Sequence, residues 1–98
     1  MRIWVIGVLA TVAATAAYGK SGREVYEATC AACHASGVAG APKLGDKGQW
    51  AARVGAGRDT LATSVIRGKG AMPPRGGDPK LDDSDIRNAV DYILKAVR

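Results

Sequence analysis

Along the last sixteen or so residues of the chain, apolar positions recur in steps of three and four. Ile86, Ala89, Val90, Ile93, Leu94 and Val97 follow that spacing, which gathers them into one wide stripe on a helix. Asp82, Asp83 and Asp85 crowd the start of this helix, and Lys95 and Arg98 close it, both favourable to the helix dipole. A helix is also predicted from Ser21 to about Cys33. Ser21 and Glu24 have capping-box spacing, and Tyr26, Cys30 and Cys33 share a face at i, i+4, i+7. Residues 35–45 read as a loop. Asp46 is placed to cap a further helix bearing Trp50 and ending near Gly55 and Gly57, and residues 58–67 form another, stopped by Gly68. The C-terminal stripe needs a partner. The first helix suits it, with Gly22 permitting close approach and Tyr26 and Tyr92 near the crossing. No strand pattern and no internal repeat interrupts this all-α reading.

The amino-terminal run does not belong to it. After Arg2, residues 3–17 are almost unbroken apolar sequence, followed by small residues and a charged run from Lys20. This reads as a secretory signal peptide over residues 1–19, with Ala17-Tyr18-Gly19 as a small-x-small cleavage site and Thr15/Ala16 as an alternative. The competing reading is a retained anchor, since the run is only slightly shorter than a spanning helix needs. Either way residues 20–98 form one domain across the membrane, periplasmic and either free or anchored to the inner membrane.

Composition then raises a difficulty. The 98-residue chain contains no phenylalanine, and beyond residue 19 its aromatic residues are Tyr26, Trp50 and Tyr92. So small a core normally needs a disulfide, metal or cofactor to hold it. A bridge between Cys30 and Cys33 would close too short a loop to stabilise much. Charge is informative too. The net charge is +5, and between residues 43 and 80 eight Lys and Arg stand against three Asp. Such an excess suits an acidic partner as well as it suits plain solvation. Nucleic acid is a poor fit for an exported chain with so few aromatic residues.

Cys30-Ala31-Ala32-Cys33-His34 resolves the difficulty. Cys-x-x-Cys-His is the attachment signature of c-type haem. Two thiols one helical turn apart reach the two vinyl groups on one haem edge, and the adjacent imidazole then lies under the iron. Structural zinc fails on ligand count, because His34 is the only histidine and there is no third cysteine. A thioredoxin-like pair would want a βαβ context. A covalently held macrocycle would supply the missing apolar surface. Iron in an electron carrier also wants a sixth ligand, and Met72 is the only methionine beyond the initiator. A Met/His pair raises the reduction potential. Met72 sits in Gly68-Lys69-Gly70-Ala71-Met72-Pro73-Pro74-Arg75-Gly76-Gly77, where the prolines fix φ and forbid a helix. That rigidity suits a strap carrying sulfur to a fixed point.

With these motifs in order, residues 21–98 resemble the class I cytochromes c, and most closely the small bacterial cytochrome c-five group. Gly22 and Tyr26 match its first helix, CAACH its haem site, GVAGAPKLGDKGQW its proximal loop, GKGAMPPRGG its methionine loop and AVDYIL its last helix. The resemblance implies three to four short helices around one covalent haem c, with the first and last helices crossing. It implies thioethers from Cys30 and Cys33 and axial ligation by His34 and Met72. It implies that the Pro42 carbonyl accepts from the other nitrogen of the ligand histidine and that Leu44 packs on the haem face. It also implies that Trp50 and Arg53 contact the propionates. One departure stands out: relatives in this group often carry a second cysteine pair between methionine loop and last helix. Here that region reads GGDPKLDDSD, which predicts a looser connection there.

The expected function is a periplasmic single-haem electron carrier, not an enzyme, that docks on acidic redox proteins such as an oxidase, reductase or dehydrogenase. Two alternatives compete. One is a gas sensor or small peroxidase in which Met72 leaves the iron, with Arg75 as the nearest polar distal group. The other is a membrane-tethered cytochrome serving an oxidase or dehydrogenase, which requires the N-terminal segment to be retained.

Overall fold

A computed structural model describes residues 20–98; the N-terminal apolar run and its expected cleavage lie outside the described residues. Ser21 caps α1 (Gly22–Val25) in a full capping box with Glu24. The chain then passes through one π turn, Tyr26–Cys30, and resumes as α2 (Ala31–His34). After a loop containing a 3₁₀ turn at Val38–Gly40, Asp46 accepts from the Gln49 N–H and caps α3 (Lys47–Val54). α4 (Arg58–Arg67) ends at Gly68, whose φ is 86°. A second 3₁₀ turn, Pro74–Gly77, precedes α5 (Asp83–Val97), which opens on a capping box between Asp82 and Asp85. Among the described residues no strand forms beyond one isolated bridge between Lys69 and Met72.

α5 is the spine of the fold. Its stripe residues Ile86, Ala89, Val90, Ile93 and Leu94 are all buried. One group of them packs with Val25, Ala62 and Leu81, and Ile93 packs with Tyr26 and Trp50. α5 thus takes α1 on one side and α4 on another. At the crossing with α1 the Tyr26 and Tyr92 rings lie 5.4 Å apart. The backbone before α1 is tied down as well. Asp85, 7% exposed, accepts from the Lys20 N–H at 3.2 Å, and the Asn88 side chain donates to the Lys20 carbonyl at 3.1 Å.

The helices follow the sequence pattern closely, with one correction. The π turn inserts an extra residue into the first helix: the Ala31 N–H reaches back to the Tyr26 carbonyl, five residues earlier. This shifts the helical register at the cysteines by one residue. Tyr26 is buried with Trp50 and Ile93, and Cys30 packs against them, while Cys30 and Cys33 both line a cavity that Tyr26 does not reach. Single π turns of this kind are frequent at functional sites.

Gly22 is the contact on which the crossing depends. A Cβ there would overlap the Asn88 backbone carbonyl and approach Tyr92 Cβ to 3.0 Å. The obstruction is mainly backbone, so it cannot swing aside. Gly22→Ala is expected to cost about 2 kcal/mol by forced overpacking, read as a lower denaturation midpoint of the haem-loaded protein with an unchanged slope.

Candidate haem site

The helices converge on a largely apolar cavity of about 380 Å³. Thr29, Cys30, Cys33 and His34 form one part of its wall. The Val38–Pro42 stretch, Trp50 and Arg53 form another, Leu61, Ser64 and Val65 of α4 a third, and residues 69–73 a fourth. Val90, Ile93 and Leu94 of α5 close it. Protein interiors seldom hold voids much larger than a water molecule. A cavity this size, with this lining, is a cradle for a flat apolar group.

Its donor set fits haem. Cys30 is partly buried and Cys33 exposed, and no disulfide joins them. Burial pushes the Cys30 thiol up to about 11, opposite to the depressed values of reactive Cys-x-x-Cys pairs. This argues against a thiol-exchange site. His34 Nδ1 lies 2.7 Å from the Pro42 carbonyl. A carbonyl only accepts, so Nδ1 carries the proton and Nε2 keeps its lone pair for a metal. The Leu44 N–H donates to the His34 carbonyl at 2.9 Å, binding the proximal loop to the end of α2. Met72 lines the same cavity from a tight turn in which the Lys69 and Met72 backbones exchange two hydrogen bonds of 2.9 Å.

Cys30, Cys33, His34, Pro42, Trp50, Arg53 and Met72 all line this one cavity. Leu44 does not. It packs against the cluster of Tyr26, Trp50 and Ile93. The Trp50 N–H is also committed elsewhere: Nε1 donates to the Lys43 carbonyl at 2.8 Å, and the ring stands 6.1 Å from that of His34. Trp50 therefore presents an apolar ring to the cavity. Arg53 is exposed and donates to the Gln49 carbonyl of its own helix.

Other lining residues were not singled out from the sequence. Leu61 and Val65 form an i, i+4 pair on a helix whose overall amphipathicity is weak. Val90 and Leu94 belong to a stripe assigned wholly to helix packing. The stretch after the methionine loop, expected to be a looser connection, carries two side-chain bonds. Arg75 donates to the Leu81 carbonyl and to Asp83, both at 2.9 Å, and does not line the cavity. It is thereby withdrawn as a distal polar group.

The family comparisons agree with this geometry. The family described as cytochrome C oxidase, cbb3-type, subunit III matches residues 17–93. Cytochrome c-555 of Chlorobaculum tepidum is 46% identical over 78 residues, covering 76% of this chain and 72% of that protein. The chain belongs to the small monohaem class I cytochromes c. Cytochrome c5 of Ectopseudomonas mendocina is 38% identical over 73 residues, covering 72% of this chain and 84% of that one. Among solved structures, a cytochrome c in an electron-transfer complex with nitrite reductase superposes with a TM-score of 0.76 at 52% identity. That match covers 79% of this chain and 94% of the other. A mono-haem ferrocytochrome c from Shewanella putrefaciens gives a TM-score of 0.71 at 37% identity, covering 81% and 98%. The cytochrome is thus an electron carrier that binds haem c covalently and exchanges electrons with redox partner proteins. Among its described residues no helix is long and apolar enough to cross a membrane.

Trp50→Phe keeps an apolar ring in the wall but leaves the Lys43 carbonyl without its donor. The cytochrome is expected to lose about 1 kcal/mol, measured by urea denaturation of the haem-loaded form.

Proposed function

We propose that this cytochrome is a periplasmic one-electron carrier without enzymatic activity, whose iron is held by His34 and Met72 and whose haem is fixed through Cys30 and Cys33. The observation that carries the reading is the His34–Pro42 bond at 2.7 Å. It orients the imidazole, leaves Nε2 as the only nitrogen able to ligate, and raises its basicity. Met72 offers the only thioether of the described residues, on the same cavity. The bound haem supplies a ferrous–ferric couple. The chain's part is to fill both axial positions in both states, exclude water with the α4 and α5 walls, and leave one edge accessible.

That edge would lie between two exposed loops that line the cavity. Val38, 51% exposed, and Ala39 lie on one, and Gly70 and Ala71 on the other. Exposed Lys43, Arg53 and Lys69 stand beside them. Of the wider basic run, Arg58 is bound to Asp91 at 2.7 Å and Arg75 to Asp83 at 2.9 Å, which removes them from the surface field. The remaining cations favour a partner with an acidic docking face. The reading as a sensor or peroxidase loses support, because Arg75, its candidate distal group, is turned to Leu81 and Asp83.

The ferric protein is expected to show a methionine–iron charge-transfer band that persists when exogenous ligand is added at modest concentration. Met72→His should keep a low-spin iron and lower the midpoint potential by on the order of 100 mV or more. A high-spin wild-type spectrum, or rapid carbon monoxide binding by the reduced form, overturns the carrier assignment.

The docking reading has its own measurement. Electron transfer to a redox protein with an acidic face should slow about tenfold or more between low salt and roughly 0.5 M, since steering of this kind is screened. Lys69→Gln should weaken that salt dependence, and a rate indifferent to ionic strength removes the acidic partner.

A further inference from the structure

The turn that follows Met72 holds an arginine in a backbone conformation that glycine enters freely and arginine does not. Arg75 has φ 56° and ψ 28°, in the left-handed region. Gly76 and Gly77 follow it with φ of 64° and 94°. The Arg75 side chain offsets this strain. Nη1 donates to the Leu81 carbonyl and Nη2 to Asp83 Oδ1, each at 2.9 Å. Leu81 is 4% exposed and part of the main core, and Asp83 begins α5. A rigid planar fork meeting two acceptors two residues apart is a geometry that arginine supplies and lysine does not.

The other side of the turn is gripped as well. A Cβ on Gly76 would stand 3.0 Å from Thr29 Cγ2, on the π turn that ends in Cys30. Pro73 and Pro74, whose φ angles are fixed by their rings, join Met72 to Arg75. Displacement of the Met72 sulfur therefore has to move a stiff segment whose far end is fastened to α5.

We propose that Arg75 is a positioning residue for Met72: its bonds to Leu81 and Asp83 clamp the methionine loop to the start of α5 and set how often the sulfur leaves the iron. The clamp occupies the stretch between loop and last helix where the chain has no cysteine pair. The inference rests on the reading that Met72 ligates the iron.

The test uses the full haem-loaded protein in the ferric state, mixed with saturating imidazole so that the observed rate is that of Met72 leaving. Arg75→Ala is expected to raise this rate about tenfold, the factor that corresponds to 1.4 kcal/mol, as expected for a charge-assisted hydrogen bond. Arg75→Gly removes the strain along with the guanidinium and should also speed release. Arg75→Lys should recover only part of the wild-type rate. Asp83→Asn should accelerate release roughly threefold, and much less in an Arg75→Ala background, since the two groups form one interaction. The amides of Gly76 and Asp78, which donate to the Pro73 and Arg75 carbonyls, should exchange with solvent faster in the same variants, a readout independent of the iron.

Release rates within twofold of wild type in both Arg75→Ala and Asp83→Asn overturn the proposal. So does slower release in Arg75→Gly, which would make backbone strain the controlling term. A fall in global stability with unchanged release would reduce Arg75 to a structural role and also overturns it. Should Arg75→Ala fail to accumulate haem-loaded protein, Asp83→Asn decides alone. A wild-type spectrum without the methionine–iron band defeats the ligand assignment instead, and unchanged amide exchange would then defeat the clamp separately.

Discussion

The structure depends on a large apolar cavity in a chain too small to close a core by itself. α5 packs its stripe on α1 and α4, and three residues of that same stripe, Val90, Ile93 and Leu94, also line the cavity with residues from α2, α3 and α4. Haem, proposed to attach through Cys30 and Cys33, would turn those faces into an interior. The helix crossing at Gly22 and the tie between Asp85 and the Lys20 backbone then bring the two ends of the domain together around it.

The two candidate iron ligands are held in different ways. His34 sits at the end of a helix, one residue after an attachment cysteine, and its orientation comes from one backbone carbonyl at Pro42. The proximal loop is in turn fastened by Trp50 to the Lys43 carbonyl and by Leu44 to the His34 carbonyl. Met72 sits on an extended strap with no helix of its own. Its place is set by a tight turn before it, two prolines after it, and Arg75 beyond them. A helix end resists motion because many backbone bonds must break together, whereas a strap moves as far as its attachments allow. The distal side is therefore where control over the haem pocket concentrates.

Charge is divided by the same architecture. Arg58 and Arg75 are paired with Asp91 and Asp83 of α5, whereas Arg53 and Lys69 line the cavity. A basic run in one dimension thus becomes two populations in three. One fastens helices and loop to α5. The other stands beside the proposed haem edge.

Much of this was legible from residue order because the signals are local. Helix caps at Ser21, Asp46 and Asp82 act within three residues, the α5 stripe follows the period of a helix, and CAACH places two thiols and an imidazole within one turn and a half. Met72 stood out because its neighbours exclude a helix and few other residues in the chain offer iron a soft ligand. The tertiary structure alone decided three things. A π turn interrupted the first helix at Tyr26–Cys30, since one extra residue in a helix leaves no mark in composition or period. Leu44 packed against Trp50 rather than lining the cavity, because loop path and not loop sequence sets which face a side chain meets. Arg75 became a fastening rather than a distal group, because its two acceptors lie six and eight residues ahead, at and just before the start of α5, and come within reach only when α5 packs. The sequence by itself determined which chemistry the chain carries; the packing of α5 decided which residues are close enough to hold it in place.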